Sequence, residues 1–303
     1  MLTGLHLLLT YQCNSECDHC FLYCSPRSQG TFTLNQIRTL LDEARKIDTL
    51  KSIYFEGGEA FLYYPVLLEG IRMVRKAGFS VGVVTNAFFA TDDEDIRLWL
   101  KPLVELGISD LSLSNDPYHY GEEKDNPATR TRKIALELGL PVGEIHIDEP
   151  SVIKDEAHEK GEAIIGGSTM FRGRAVDKLI EGLPTRYWEN FTECSYENLE
   201  SPGRVHIDAY GNIHICQGIS MGNVWQTPLS EIDNTWNADL HPVCGPLVKN
   251  GPAGLIREYD IDHENEYVDV CHCCYQIRKS LLDRFPQHLC PPQVYGVELT
   301  SNT

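Results

Sequence analysis

The stretch YQCNSECDHCFLYC, residues 11–24, places four cysteines, Cys13, Cys17, Cys20 and Cys24, at intervals of three, two and three residues. The residues before it, MLTGLHLLLT, are too short and too poor in basic charge for a signal peptide, and read instead as a first buried strand. A cytoplasmic location is therefore expected. In a reducing compartment, thiols this close are metal ligands or catalytic groups more often than disulfides. The remaining seven of the eleven cysteines are Cys194, Cys216, Cys244, Cys271, Cys273, Cys274 and Cys290. Residues 25–193 carry none. That separation predicts two metal sites in two regions.

Outward from the cysteine stretch, short apolar runs alternate with helical patterns. LHLLL (5–9) is the first strand. The helix after it runs through TFTLNQIRTLLDEARKI, with Leu34, Ile37, Leu41 and Ala44 on one face and Thr33 with Gln36 as a capping box. KSIYFEGGE is the second strand, followed by a helix over 64–77 that Gly78 closes. FSVGVVTN is the third strand. The next helix opens at Thr91 with Glu94, kinks at Pro102 and ends at Gly107. ISDLSLS is the fourth strand, 127–139 a helix, GEIHID the fifth strand, STMFRG a sixth, and 174–182 a last helix. Such alternation implies a parallel sheet with right-handed crossovers, either open and doubly wound or closed toward a barrel. Both forms put their sites at the carboxyl ends of the strands. The cysteine loop, EGGE, TN and SND all lie there.

After about residue 185 the grammar becomes antiparallel. GRVHIDAYGNIHIC reads as a hairpin turning at Tyr210, Gly211 and Asn212. Helices are expected around 228–236 and 271–285, with Pro- and Gly-rich connections over 242–254. The expected division is thus 1–185 and 186–303, in line with a 303-residue chain that exceeds one compact core.

Charge narrows the partners. Lys and Arg total 26 against 44 Asp and Glu, a net charge of −18. Nucleic acid and anionic membrane are not expected, because a phosphate footprint needs clustered positive charge. Arg130, Arg132 and Lys133 read as one solvated helix face. No apolar run reaches membrane-spanning length.

Cys13, Cys17 and Cys20 form C-x3-C-x2-C, three thiolates able to hold three corners of a [4Fe–4S] cube and leave one iron open. With Gly57, Gly58 and Glu59 (GGE) after the second strand, this loop resembles the radical S-adenosylmethionine (radical SAM) superfamily over roughly residues 5–180. The resemblance implies a partial six-stranded (βα) TIM-like barrel. It also implies a [4Fe–4S] cluster whose open iron is chelated by S-adenosyl-L-methionine, and reductive cleavage to a 5′-deoxyadenosyl radical that abstracts a hydrogen atom from substrate. Carried over by matching position, Glu59 accepts from the methionyl ammonium, while Gly57 and Gly58 let backbone approach. Ser114 and Asp116 contact the ribose and carboxylate, Thr85 and Asn86 are further rim candidates, and Gly173–Ala175 back the adenine. Two positions depart from the family pattern: His19 where an aromatic is usual before the third cysteine, and Ala60 where proline is common. Read from the residues alone, the loop also suits structural zinc with His19 as fourth ligand. Cys24 reads as a small buried side chain.

The second cysteine group is similar to the SPASM or shorter twitch extensions of this superfamily, through Gly211-x4-Cys216, the GNVWQTPLSEI segment and the C-x2-C pair of Cys271 and Cys274. That similarity implies one auxiliary [4Fe–4S] cluster in a smaller α+β domain, with four ligands from Cys194, Cys216, Cys244, Cys271 and Cys274. Cys273 and Cys290 stand outside, and four thiolates here would equally suit zinc. His206 and His214 read as solvated or hydrogen-bonded strand residues. The expected activity is radical chemistry on a peptide or small-molecule substrate, with a flavodoxin- or ferredoxin-type electron donor. No added peptide-recognition domain is expected ahead of the first strand. The competing expectation is a non-catalytic iron–sulfur electron carrier or cluster carrier, which would need neither GGE nor the ribose rim.

Overall fold

The computed structural model describes residues 1–154 and 163–297. Five strands, β1 (Gly4–Thr10), β2 (Ser52–Gly57), β3 (Ser80–Thr85), β4 (Asp110–Ser114) and β5 (Val142–Ile145), lie side by side in chain order, each parallel to the last. The crossovers are α1 (Leu34–Ala44), α2 (Tyr64–Ala77) and α3 (Asp93–Leu106), then a short α4 (Pro117–Tyr120) and α5 (Pro127–Glu137). The fold is therefore mixed α/β on a parallel sheet, as the alternation predicts.

Alternation along each strand divides the interior into two sides. Leu5, Leu7, Leu9, Ile53, Phe55, Val81, Val83, Leu111 and Leu113 face the helices, meeting Ile37, Leu41, Ile71 and Leu100 in one buried cluster. Leu8 faces the opposite way and joins Tyr11, Cys13, Phe171 and Cys244 in a second cluster. Cys20, Cys24, Cys194, Cys216, Cys273 and Cys274 sit on that second side too.

Local signals mostly place the helix ends. Thr33 and Gln36 form the reciprocal box that opens α1. α3 opens one residue later than expected, on Asp92, whose carboxylate accepts from the Glu94 and Asp95 backbone N–H groups. The helix continues through Pro102.

Three features differ from the sequence expectation. Residues 168–173 form no strand. The Ser168 N–H goes to the Asp148 carbonyl and the Arg174 N–H to the Cys20 carbonyl, so this backbone is held by loops rather than by β5. Ahead of it, β6 (Ser151–Lys154) and β7 (Ala163–Gly166) make a separate antiparallel pair. Second, the late hairpin, β9 (Arg204–Asp208) with β10 (Asn212–Cys216), does not stand alone. β9 pairs parallel with β1, and β11 (Ile219–Asn223) follows β10, extending the sheet to eight strands. β8 (Arg186–Tyr187) and β12 (Glu266–Tyr267) form a small ribbon. Third, the Pro- and Gly-rich stretch taken as a connection is largely helical, α8 (Cys244–Tyr259), broken at Asn250 and Gly251. Local propensity opposes that helix, and burial of Leu247, Leu255 and Ile256 overrides it. The remaining helices are α6 (Ala175–Lys178), α7 (Leu229–Thr235) and α9 (Val270–Ser280). Among the described residues, no helix is long and apolar enough to cross a membrane.

Candidate functional site

The carboxyl ends of β1–β4 open into a cavity of about 280 Å³, lined by Cys13, Cys17, Cys20, Gly57, Gly58, Glu59, Thr85, Asn86, Ser114 and Asp116. The expected cluster, GGE and strand-end positions are thus at one cavity, whereas Gly173, Arg174 and Ala175, expected to back an adenine, do not line it.

The cysteine loop is fastened at both ends. The Gly58 N–H donates to the Thr10 carbonyl at 2.7 Å and the Glu59 N–H to the Gln12 carbonyl at 2.9 Å. A Cβ on Gly57 would stand 2.3 Å from the Thr10 oxygen, and one on Gly58 2.2 Å from the Gln12 oxygen. The glycines therefore admit the chain's own cysteine loop. From the other side, Arg174 reaches across the loop: its Nη1 donates to the Cys17 carbonyl and its Nη2 to the Cys24 carbonyl, both at 2.7 Å, while its backbone N–H takes the Cys20 carbonyl at 3.0 Å. The segment expected to back an adenine is thus bonded to the loop itself.

Glu59 is buried. Its carboxylate accepts from the Phe61 N–H (3.0 Å), the Thr85 hydroxyl (2.8 Å) and the Asn86 N–H (2.8 Å). Burial pushes its carboxyl above the ordinary value, against the pull of those three donors. Oε2 has a single partner, which leaves acceptor capacity. Asn86 also donates through Nδ2 to Asn14 Oδ1 at 2.9 Å, and its carbonyl accepts from the Tyr120 hydroxyl. Asp116 caps α4, with Oδ1 taking the Tyr118 and His119 N–H groups and His119 Nδ1 at 2.8 Å. Its Oδ2 is buried with no hydrogen-bond partner. His19 stacks on Tyr118, ring centroids 4.3 Å apart. Ser114 ends β4 at the cavity wall.

The thiols differ in character. Burial raises Cys13 to about 12. Cys20 is lowered, first through a hydrogen bond with Cys24, which is itself raised. The Cys24 N–H also donates to Cys20 Sγ at 3.4 Å. Cys24 is thus a buried neighbour that favours the Cys20 thiolate. Spacing tests what the three can hold. Among the described residues, the triplets with ligand atoms within 4.8 Å of one another are His6/Glu56/His206 and His19/Asp116/His119, and no cysteine triplet is among them. A single zinc would draw its thiolates to about 3.8 Å. The three thiols are therefore not gathered as closely as one zinc ion would hold them.

The second group converges too. Cys194, Cys216, Cys244 and Cys274 lie in one another's electrostatic field, and Cys271 joins through Cys216 and Cys274. Burial is the first cause that raises Cys244, Cys271 and Cys274, the last to about 11. Two buried guanidinium groups face them: Arg172 donates from Nη1 to Cys216 Sγ at 3.4 Å, and Arg278 bonds the carbonyls of Cys274 (3.3 Å) and Gln217 (2.9 Å). Cys273 is buried beside Tyr267, and Cys290 lies near Asp208. Sequence reasoning missed Arg172 and Arg278, and gave Arg174 a place behind the adenine rather than its bonds to the cysteine loop. For Arg278 a signal existed: Cys271, Cys274 and Arg278 follow a helical spacing along one face of α9. Arg172, which also lines the first cavity, connects the two groups.

Comparison with known proteins gives a family match over residues 7–148, described as the Radical SAM superfamily. YydG of Bacillus subtilis (strain 168), named for peptide biosynthesis, is 31% identical over 263 residues, covering 84% of this chain and 73% of its own length. The tungsten-containing aldehyde ferredoxin oxidoreductase cofactor-modifying protein of Pyrococcus furiosus is 34% identical over 112 residues, 37% of this chain and 30% of that protein. Among solved structures, BtrN in complex with AdoMet and 2-DOIA aligns over 78% of this chain and 83% of its own, at 17% identity and a TM-score of 0.49. Native anSMEcpe with bound AdoMet aligns over 98% of each chain at 12% identity, again with a TM-score of 0.49.

Proposed function

Because this chain belongs to the radical SAM superfamily, whose members use a [4Fe–4S] cluster and S-adenosylmethionine, we propose that Cys13, Cys17 and Cys20 hold that cluster and that the substrate is a peptide. The observation that carries the reading is the three-thiol loop, bolted to the GGE segment and to Arg174, at the mouth of a 280 Å³ cavity. When bound, cluster and cofactor supply one-electron cleavage to a 5′-deoxyadenosyl radical that takes a hydrogen atom from the substrate.

This chain's own residues do the positioning. Arg174 fixes the carbonyls of Cys17, Cys20 and Cys24 and so orders the loop that carries the three thiols. Glu59 holds a negative charge at the rim, where its free acceptor capacity suits an ammonium group. Asp116 Oδ2, buried without a partner, supplies a second acceptor near the rim. The apolar wall from Leu8, Leu22 and Ile145 limits water around a reactive carbon centre. A cluster carrier would have no use for such a cavity. The peptide assignment rests on the name of the Bacillus relative.

The same proposal takes residues 186–303 as a twitch- or SPASM-like unit with one auxiliary [4Fe–4S] cluster on four of Cys194, Cys216, Cys244, Cys271 and Cys274. The donor set of thiols with two buried arginines supports it, since positive charge stabilises a reduced, anionic cluster. A flavodoxin- or ferredoxin-type donor would supply the electron. The test is anaerobic reconstitution followed by dithionite and S-adenosylmethionine. Formation of 5′-deoxyadenosine and methionine is expected. Background product from fully loaded protein would overturn the catalytic reading.

A further inference from the structure

On the inner face of the sheet, three neighbouring strands place His6 (β1), Glu56 (β2) and His206 (β9) together. The registers that set them are Leu8 opposite Glu56 and His6 opposite His206. One nitrogen from each ring and a Glu56 oxygen all lie within 4.8 Å of one another. His6 Nδ1 is 3.2 Å from Glu56 Oε2, and His206 Nε2 is 2.9 Å from Glu56 Oε1.

Those distances suit ion pairs, which hold Glu56 well below the usual carboxylate range against its burial, yet they leave two of the polar atoms without a directed hydrogen bond. His6 Nδ1 and Glu56 Oε1 are buried with no hydrogen-bond partner. Buried donors and acceptors are rarely left so, and a pair this close without N–H directed at oxygen calls for another explanation. Two cis ligands on one ion at about 2.1 Å stand about 3.0–3.5 Å apart, and the two imidazole–carboxylate distances, 3.2 and 2.9 Å to the two oxygens of Glu56, lie at or just below that range. We propose that His6, Glu56 and His206 form a divalent transition-metal site, separate from both cysteine groups. Its donor set, two imidazoles and a carboxylate, suits a borderline ion such as zinc. Remaining positions would be filled by water or by a substrate oxygen, since Glu56 lines the main cavity.

The surroundings hold the ligands in place. His6 stacks on Tyr54 with centroids 4.8 Å apart and planes 9° from parallel. Tyr54 fits there because position 82 is glycine, where a Cβ would stand 2.2 Å from the tyrosine ring. Gln217 places its amide 3.3 Å from His206 Nδ1, and its own Oε1 has no partner. With the amide oxygen turned to that nitrogen, Nδ1–H donates to it and Nε2 presents its lone pair to the ion, the usual outer partner of a metal-bound histidine. None of the five cysteines of the second group takes part.

The test uses the holoprotein, with both cysteine groups filled by anaerobic reconstitution, and zinc alone as the probe. After equilibrium dialysis, about one zinc per chain should remain. Its X-ray absorption should show only nitrogen and oxygen neighbours at about 2.0–2.1 Å, without sulfur at about 2.3 Å. Glu56→Gln and His206→Asn should weaken zinc by more than about 100-fold, since loss of a direct ligand exceeds the 10–100-fold cost of an outer partner. Iron and sulfide content should be unchanged. No retained zinc in fully loaded wild-type protein, a sulfur shell around the zinc, or equal affinity in folded variants would each overturn the site. The wild-type spectrum decides the question even if a variant fails to fold.

Discussion

Replacing Arg174 by Met keeps much of the side chain's length and removes the guanidinium that spans the cysteine loop. Two charge-assisted bonds are lost, Nη1 to the Cys17 carbonyl and Nη2 to the Cys24 carbonyl, each 2.7 Å long. Bonds of this kind are worth about 1.5–3 kcal/mol each, so the loop loses about 3–6 kcal/mol of ordering in full. The guanidinium also lies 5.0 Å from the Tyr23 ring centroid, a contact worth about 0.5–2 kcal/mol. At 1.4 kcal/mol per tenfold, the hydrogen bonds alone correspond to about 10²–10⁴ in preference for the ligand-ready loop. Relaxation of the loop returns part of this. A drop of at least about tenfold in the cluster's resistance to a chelator is expected. The assay is iron release from the first cluster into a chromophoric chelator, in protein whose second group is intact. Arg174→Lys should recover only part, because an ammonium lacks the fork that meets two carbonyls at once. Wild-type release rates in a folded Arg174→Met protein would refute the reasoning.

Glu59→Gln should keep the cluster but bind S-adenosylmethionine about 10- to 100-fold more weakly, read by calorimetry, because a charged acceptor is lost. Gly58→Ala forces a Cβ to within 2.2 Å of the Gln12 carbonyl, so iron loading at the first site should fall while far-ultraviolet circular dichroism stays native. Replacing Cys13, Cys17 and Cys20 together by Ala should leave about four irons of about eight, and a variant that holds one zinc and no iron would make the second site structural zinc. Asp208→Ala removes a buried acceptor shared by the Tyr11 hydroxyl, the Asn212 N–H and amide, and His214 Nε2. Denaturant unfolding should then show a loss of about 3–5 kcal/mol, and a loss below about 1 kcal/mol would contradict the network's role.

How far the sequence carries depends on whether a feature is local. The strands β1 to β4 and the Thr33 cap of α1 are written in short-range pattern, and the first site follows because parallel strands bring their carboxyl ends to one rim. Cys13, Glu59, Asn86 and Asp116 meet there for that reason alone. The pairing of β9 with β1 is not local: nothing in RVHID names a partner 200 residues away, so the hairpin read as a separate element. That same pairing creates the His6–Glu56–His206 cluster, and His206 accordingly read as an ordinary strand residue. α8 escaped notice because Pro246, Gly251 and Pro252 argue against a helix that tertiary burial sustains. The role of Arg174 toward the cysteine loop is hidden for a related reason. Its partners are backbone carbonyls of a loop 150 residues earlier, and backbone partners leave no mark in the sequence.

The central claim is that Cys13, Cys17 and Cys20 hold a cluster with one iron open to S-adenosylmethionine. Electron paramagnetic resonance of the anaerobically reduced protein, recorded with and without the cofactor, tests this directly. The account predicts that the cofactor shifts one reduced-cluster signal, that this signal is absent when the three cysteines are replaced by Ala, and that any remaining signal is indifferent to the cofactor. A cofactor-sensitive signal that survives the triple replacement, or a fully loaded protein whose spectrum never responds, would contradict it.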